Sequence, residues 1–138
     1  METADSIARR VLNAHDDGAS IDRISDSIPG FDLAAAYAVS RAVVAERVAR
    51  GERPVGWKIG FTNRTIWDEY GVHAPIWGPM YTSTVHEIPF NRVAACSLHG
   101  LVEPRIEPEI AFRVARPPEP HLEGMALLAC LDGVAHGF

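Results

Sequence analysis

The chain has 138 residues, 47% apolar and 22% charged, a globular balance that excludes a disordered tail or a coiled coil and suits one compact domain. Thirteen basic against eighteen acidic residues give a net charge of −5 with both signs spread along the chain, which leaves no basic face for nucleic acid. No apolar run approaches the roughly 20 residues of a membrane span, and METADSIARR lacks a signal-peptide core, so a soluble, cytoplasmic chain without a membrane partner is expected. Cys96 and Cys130 form no CxxC pair and read as small core residues.

Residues 1–53 read as a helical segment. Ile7, Ala8, Val11 and Leu12 mark one face of a helix over 5–16, with Gly18 just past its end. The stretch from Gly18 to Gly30 reads as loop. Asp32 is placed to cap a second helix over 33–49, which Gly51 and Pro54 terminate.

Beyond Pro54 the period changes. Val55–Thr62 alternates, with Trp57, Ile59 and Phe61 on a face expected to pack inward and Gly56, Lys58, Gly60 and Thr62 on the other. Asn63 caps a short helix across Arg64–Tyr70 that Gly71 closes. Residues 72–80 read as an ordered loop, Tyr81–Ile88 as a strand, Leu101–Ala115 as a long extended segment, and Met125–Val134 as a buried helix. The run Leu127–Phe138 is mostly apolar, so the chain reads as interrupted at its end.

Two places carry chemistry. In an extended chain Glu103, Arg105, Glu107 and Glu109 share a face, and Glu107 and Glu109 have roots about 6.5–7 Å apart. Two such charges repel by about 2.4 kcal/mol at an effective dielectric near 20 and by about 0.6 in water. Pro104 and Pro108 cannot donate to a ladder, so this is an edge or bulged strand. Converging carboxylates suit a hard divalent cation, Mg²⁺ or Mn²⁺; the same alternation also suits a solvated strand face. The second place is Lys58, the single lysine among thirteen basic residues, set between Gly56 and Gly60. An amine there can stabilise an enolate or act as an acid, and it can equally be a solvent-facing edge residue. The six histidines show no zinc spacing, and no GxSxG elbow occurs.

Three blocks, GWKIGFTN at 56–63, YGVHAPIWGPM at 70–80 and VEPRIEPEIAF at 102–112, resemble the 2-keto-4-pentenoate hydratase / 4-oxalocrotonate decarboxylase family of the fumarylacetoacetate hydrolase superfamily. AAAYAVSRAV at 34–43 fits as well. The resemblance implies an α+β fold: N-terminal helices over 1–53, then, over 54–138, the first part of a mixed β-sheet roll that looks truncated. It implies that Glu107 and Glu109 are the first two ligands of Mg²⁺ or Mn²⁺, with a third glutamate expected just after Phe138, and that Lys58 is the active-site lysine. Many members carry an aspartate where this chain has Ile76, which suggests a divergent subgroup. The implied activity is hydration or decarboxylation of small 2-oxo or 2-hydroxydienoic acids in aromatic catabolism, in an intact parent that is a homo-oligomer. The alternatives are an acylpyruvate-type C–C hydrolase, or a truncated, non-catalytic product in which 1–138 alone lacks activity.

Overall fold

The computed structural model describes residues 2–138. They form two compact units, one reaching Val102 and the other spanning Glu103–Phe138.

The first unit opens with helix α1 (Ala4–Asp16), started by a capping box in which Thr3 Oγ1 accepts from the Ser6 amide and Ser6 Oγ from the Thr3 amide. A single helical turn, α2 (Ile24–Ser27), interrupts the stretch read as loop. Helix α3 (Leu33–Ala49) begins where expected, with Asp32 Oδ1 accepting from the Ala35 amide at 2.8 Å. Gly51 follows its end at φ +92°, a conformation that costs glycine little. Ile7, Ala8 and Val39 are buried where α1 meets α3, and Val11, Ile24, Ile28 and Phe31 pack around them. The C-terminal ends of the two helices meet through Arg50, which donates to Asp16 at 2.6 Å and holds that carboxyl below its ordinary pKa.

Strand β1 (Pro54–Gly60) follows and pairs antiparallel with β2 (Ile76–Tyr81), Lys58 standing opposite Gly78 and Ile59 opposite Trp77. Between them Asn63 caps a 3₁₀ turn (Arg64–Ile66) that runs into α4 (Trp67–Tyr70), closed by Gly71 in the left-handed conformation. The second unit holds β3 (Glu109–Val114), the short helix α5 (Gly124–Leu128) and β4 (Leu131–Gly137), which pairs antiparallel with β3. The class is α+β, with helices and two small antiparallel sheets. No helix among the described residues is long and apolar enough to cross a membrane.

Several expectations are corrected. The stretch 72–80 is not all loop, because β2 starts at Ile76; Pro79 is tolerated there because each member of a two-stranded sheet is an edge. The expected strand over Tyr81–Ile88 ends at its first residue. There the Thr84 hydroxyl accepts from the Tyr81 amide and donates to the Tyr81 carbonyl, folding the chain into a turn. Of Leu101–Ala115 only Glu109–Val114 is strand: Pro104 and Pro108 supply no donors, and Glu103 turns at φ +47°. The alternating face from Glu103 to Glu109 therefore does not form. The helix expected over Met125–Val134 stops at Leu128, and the remainder becomes β4, whose ladder to β3 satisfies the backbone instead. Trp57 and Ile59 do not pack inward. They are 59% and 56% exposed, since one strand pair and one helix cover little of that face. Cys130 is buried, as expected, with its thiol directed at the Ala126 carbonyl, whereas Cys96 is exposed.

Candidate functional site

Lys58 lies in the middle of β1, and the register fixes its neighbours. Residues facing one another across an antiparallel pair share a face, so Gly56, Lys58 and Gly60 line up with Met80, Gly78 and Ile76. The opposite face carries Trp57, Ile59, Trp77 and Pro79. That face is tied to α3 by Tyr37, whose ring stacks on Trp77 at 4.6 Å and whose hydroxyl accepts from the Trp77 amide at 3.3 Å. Trp57 meets Trp77 edge-on at 5.0 Å. The indoles thus hold the hairpin on the helix and leave the Lys58 face turned away from it.

The hairpin is also clamped at its open end. Arg47, in the last turn of α3, donates through Nε and Nη2 to both oxygens of Glu52, at 2.9 and 2.7 Å, and Ser83 donates to the same carboxylate at 2.6 Å. These bonds, Arg47 foremost, hold the Glu52 carboxyl below its ordinary pKa. The Arg47 guanidinium lies 4.0 Å over the ring of Tyr81, which is 4% exposed and whose phenol burial pushes upward in pKa. Sequence reading missed this cluster, because Arg47 and Glu52 stand 29 to 36 residues before Tyr81 and Ser83 and share no motif with them.

Glu109 opens β3 opposite Gly137 and is half-buried, whereas Glu107 lies before the strand, beyond Pro108, and is exposed. Further along β3, Arg113 donates to Asp132 at 2.7 Å, with the guanidinium lying over Gly133. Glu107 and Glu109 are hard oxygen donors separated by Pro108 alone, which fits a divalent cation of the Mg²⁺ class in chemistry. No group of three or more His, Cys, Asp or Glu that could hold a metal occurs among the described residues. Were such an ion held by the pair, the two carboxylates would leave its other positions to water or substrate. His73 approaches Asp68 at 3.7 Å, but Asp68 is wholly exposed, so the two make no sheltered water-activating pair.

No family model matches the chain. Over 111 residues, 80% of the chain, it is 32% identical to a 2-keto-4-pentenoate hydratase of Burkholderia vietnamiensis strain G4, covering 41% of that protein. Over 129 residues, 91% of the chain, it is 30% identical to a 4-oxalocrotonate decarboxylase of a Pseudomonas species, covering 49% of it. The solved structure of 4-oxalocrotonate decarboxylase from Pseudomonas putida G7, complexed with calcium and acetate, superposes with a TM-score of 0.80 and 26% identity over 95% of this chain. The same enzyme complexed with magnesium and adipate gives a TM-score of 0.78. The chain is a relative of the 2-keto-4-pentenoate hydratases and 4-oxalocrotonate decarboxylases. It spans between two fifths and one half of the length of these relatives.

Proposed function

We propose that this chain is part of a metal-dependent lyase, a hydratase or decarboxylase, that acts on small 2-oxo or 2-hydroxydienoic acids such as 2-hydroxypenta-2,4-dienoate in aromatic catabolism. The observation that carries the reading is the similarity to hydratases and decarboxylases along four fifths or more of the chain, together with a fold match at a TM-score of 0.80. Glu107 and Glu109 would hold Mg²⁺ or Mn²⁺. Related solved structures contain calcium or magnesium, and the donor chemistry here suits a cation of that class. When bound, such an ion supplies Lewis-acid stabilisation of negative charge on a 2-oxo acid.

Lys58 is the residue assigned to the substrate. It extends from a rigid strand, between glycines that let a ligand approach the backbone, and its ammonium can stabilise developing enolate charge or pass a proton to carbon. The Tyr37–Trp77 stack and the Arg47–Glu52 clamp hold that strand against α3, so the lysine root is positioned before substrate arrives. A cytoplasmic homo-oligomer is the proposed setting.

The test uses the complete polypeptide that carries this chain. Metal depletion followed by Mg²⁺ or Mn²⁺ add-back should switch turnover of 2-hydroxypenta-2,4-dienoate off and on, and full turnover in excess chelator overturns the metal assignment. Lys58→Ala should lower kcat on the order of 10²–10³-fold while metal affinity stays the same. Turnover within about twofold of wild type removes Lys58 from the mechanism.

A further inference from the structure

The β1–β2 pair carries Lys58 on strands that are poor at fixing their own register. Gly56 and Gly60 bracket Lys58 on β1 and Gly78 stands opposite it, and glycine-rich strands slip because few side chains interlock. The Arg47–Glu52 clamp acts at the Tyr81 end of β2, and the ladder is irregular between Pro54 and Gly56, which separates that clamp from Lys58. The outer edge of β2 supplies what the ladder lacks. The Trp77 amide donates to the Tyr37 hydroxyl at 3.3 Å and so points away from β1, while Pro79, two residues on, has no amide hydrogen. Both observations place Ile59–Trp77 and Trp57–Pro79 among the non-hydrogen-bonded pairs, and the alternation of an antiparallel ladder then makes Lys58–Gly78 a hydrogen-bonded pair.

Trp77 stands midway between Pro75 and Pro79. A slip of β2 by two residues in either direction keeps each side chain on its face but brings one of these prolines to Tyr37, and neither can donate. A one-residue slip carries the Trp77 indole to the other face, away from the Tyr37 ring on which it stacks at 4.6 Å. Tyr37 thus meets both a donor and an indole in one register alone. We propose that Tyr37 is a positioning residue for Lys58: its hydroxyl reads the one amide between two prolines, fixes the register of β2 and so sets the Lys58 root opposite Gly78. The proposal deepens the assignment of Lys58 to the substrate and rests on it.

The experiment compares wild type, Tyr37→Phe, Lys58→Ala and the double variant of the complete polypeptide, with Mg²⁺ present, on 2-hydroxypenta-2,4-dienoate. Tyr37→Phe keeps the stacked ring and removes the hydroxyl. It should lower kcat about five- to tenfold with KM within about twofold, since small misplacements of a reacting group are costly in rate. With Lys58 already alanine it should cost less than about twofold, because a residue that acts through Lys58 then has nothing to act on. Amide exchange gives a reading independent of turnover: in Tyr37→Phe the Lys58 and Gly78 amides should exchange about tenfold faster while those of α1 keep their wild-type rates. A Trp77 amide that exchanges in wild type as fast as an open loop overturns the proposal whether or not a variant folds. So do an unchanged kcat, an equal loss in both backgrounds, or unchanged exchange at Lys58 and Gly78. Lys58→Ala separates the two levels. If it turns over within about twofold of wild type, the assignment of Lys58 fails and the proposal falls with it. If it loses about 10²-fold or more while Tyr37→Phe loses nothing, only the positioning role is wrong.

Discussion

The helical segment and the strand pairs bury their apolar residues to very different degrees. Between α1 and α3, Ala8 is fully inaccessible and Ile7 and Val39 nearly so, although both helices present many small residues. On the strands the large side chains remain in view, Trp57 on β1 and Phe112 on β3 each being more than half exposed. A helix satisfies its own backbone and needs only one stripe covered, so two helices and a loop close a small core. A strand in a two-membered sheet has one partner, one open edge and two faces to cover. Tyr81 is the exception on the strand side, and it is buried because Arg47 reaches across from α3 to lie on its ring.

The comparison is broken most directly at Ile7. Ile7→Ala should cost about 2–5 kcal/mol in urea unfolding, because the α1–α3 contact has few residues with which to close the cavity. A loss below about 1 kcal/mol would mean that the helix pair is no better packed than the sheets.

The junction between the two regions gives the next largest effect. Glu52→Gln should cost about 1–2 kcal/mol at pH 7, since Arg47 and Ser83 lose a charged acceptor at a partly shielded site. Glu52 titrates below its ordinary value of 4.5, so its contribution is present above that pH and is lost as the pH falls through the folded value. The gap in melting temperature between wild type and Glu52→Gln should therefore shrink below about pH 4.5. A gap that stays constant down to pH 3 would show that the clamp acts without the charge. Smaller again is Asp32→Ala, expected to cost about 1 kcal/mol through the lost bond to the Ala35 amide and to leave the strands untouched, as amide exchange would record.

What the sequence made legible follows the same division. Asp32, Gly51, Asn63 and Gly71 mark helix or turn ends through contacts within a few residues, and all four do so where the sequence placed them. Strand β1 was readable from its alternation. Strand β4 was not, because its apolar run has no period of its own and becomes a strand only through pairing with β3 some twenty residues earlier. The candidate site divides likewise. Lys58 stood out as a lone amine between glycines, but its flanks Ile76 and Met80 come from a strand that Gly78 and Pro79 disguise as loop. The Glu107–Glu109 alternation was visible, yet Pro108 ends the extended geometry before it reaches Glu107.

The smallest expected effect is on the apolar face of β3–β4, and it sharpens the comparison because it is nearly zero. Phe112 and Val134 stand opposite one another in the register and share a face with Ile110 and Val114, all of them exposed. Removing the Phe112 ring therefore forfeits little burial, and Phe112→Ser should change unfolding free energy by no more than about 0.5 kcal/mol. The same substitution should lower the binding of a hydrophobic dye such as ANS, because it breaks up a contiguous apolar patch. The two readouts together locate the face. A cost above about 2 kcal/mol would show that Phe112 is covered in solution. In that event the contrast between closed helices and open strands would hold for the isolated strand pair and not for the protein as it exists in solution.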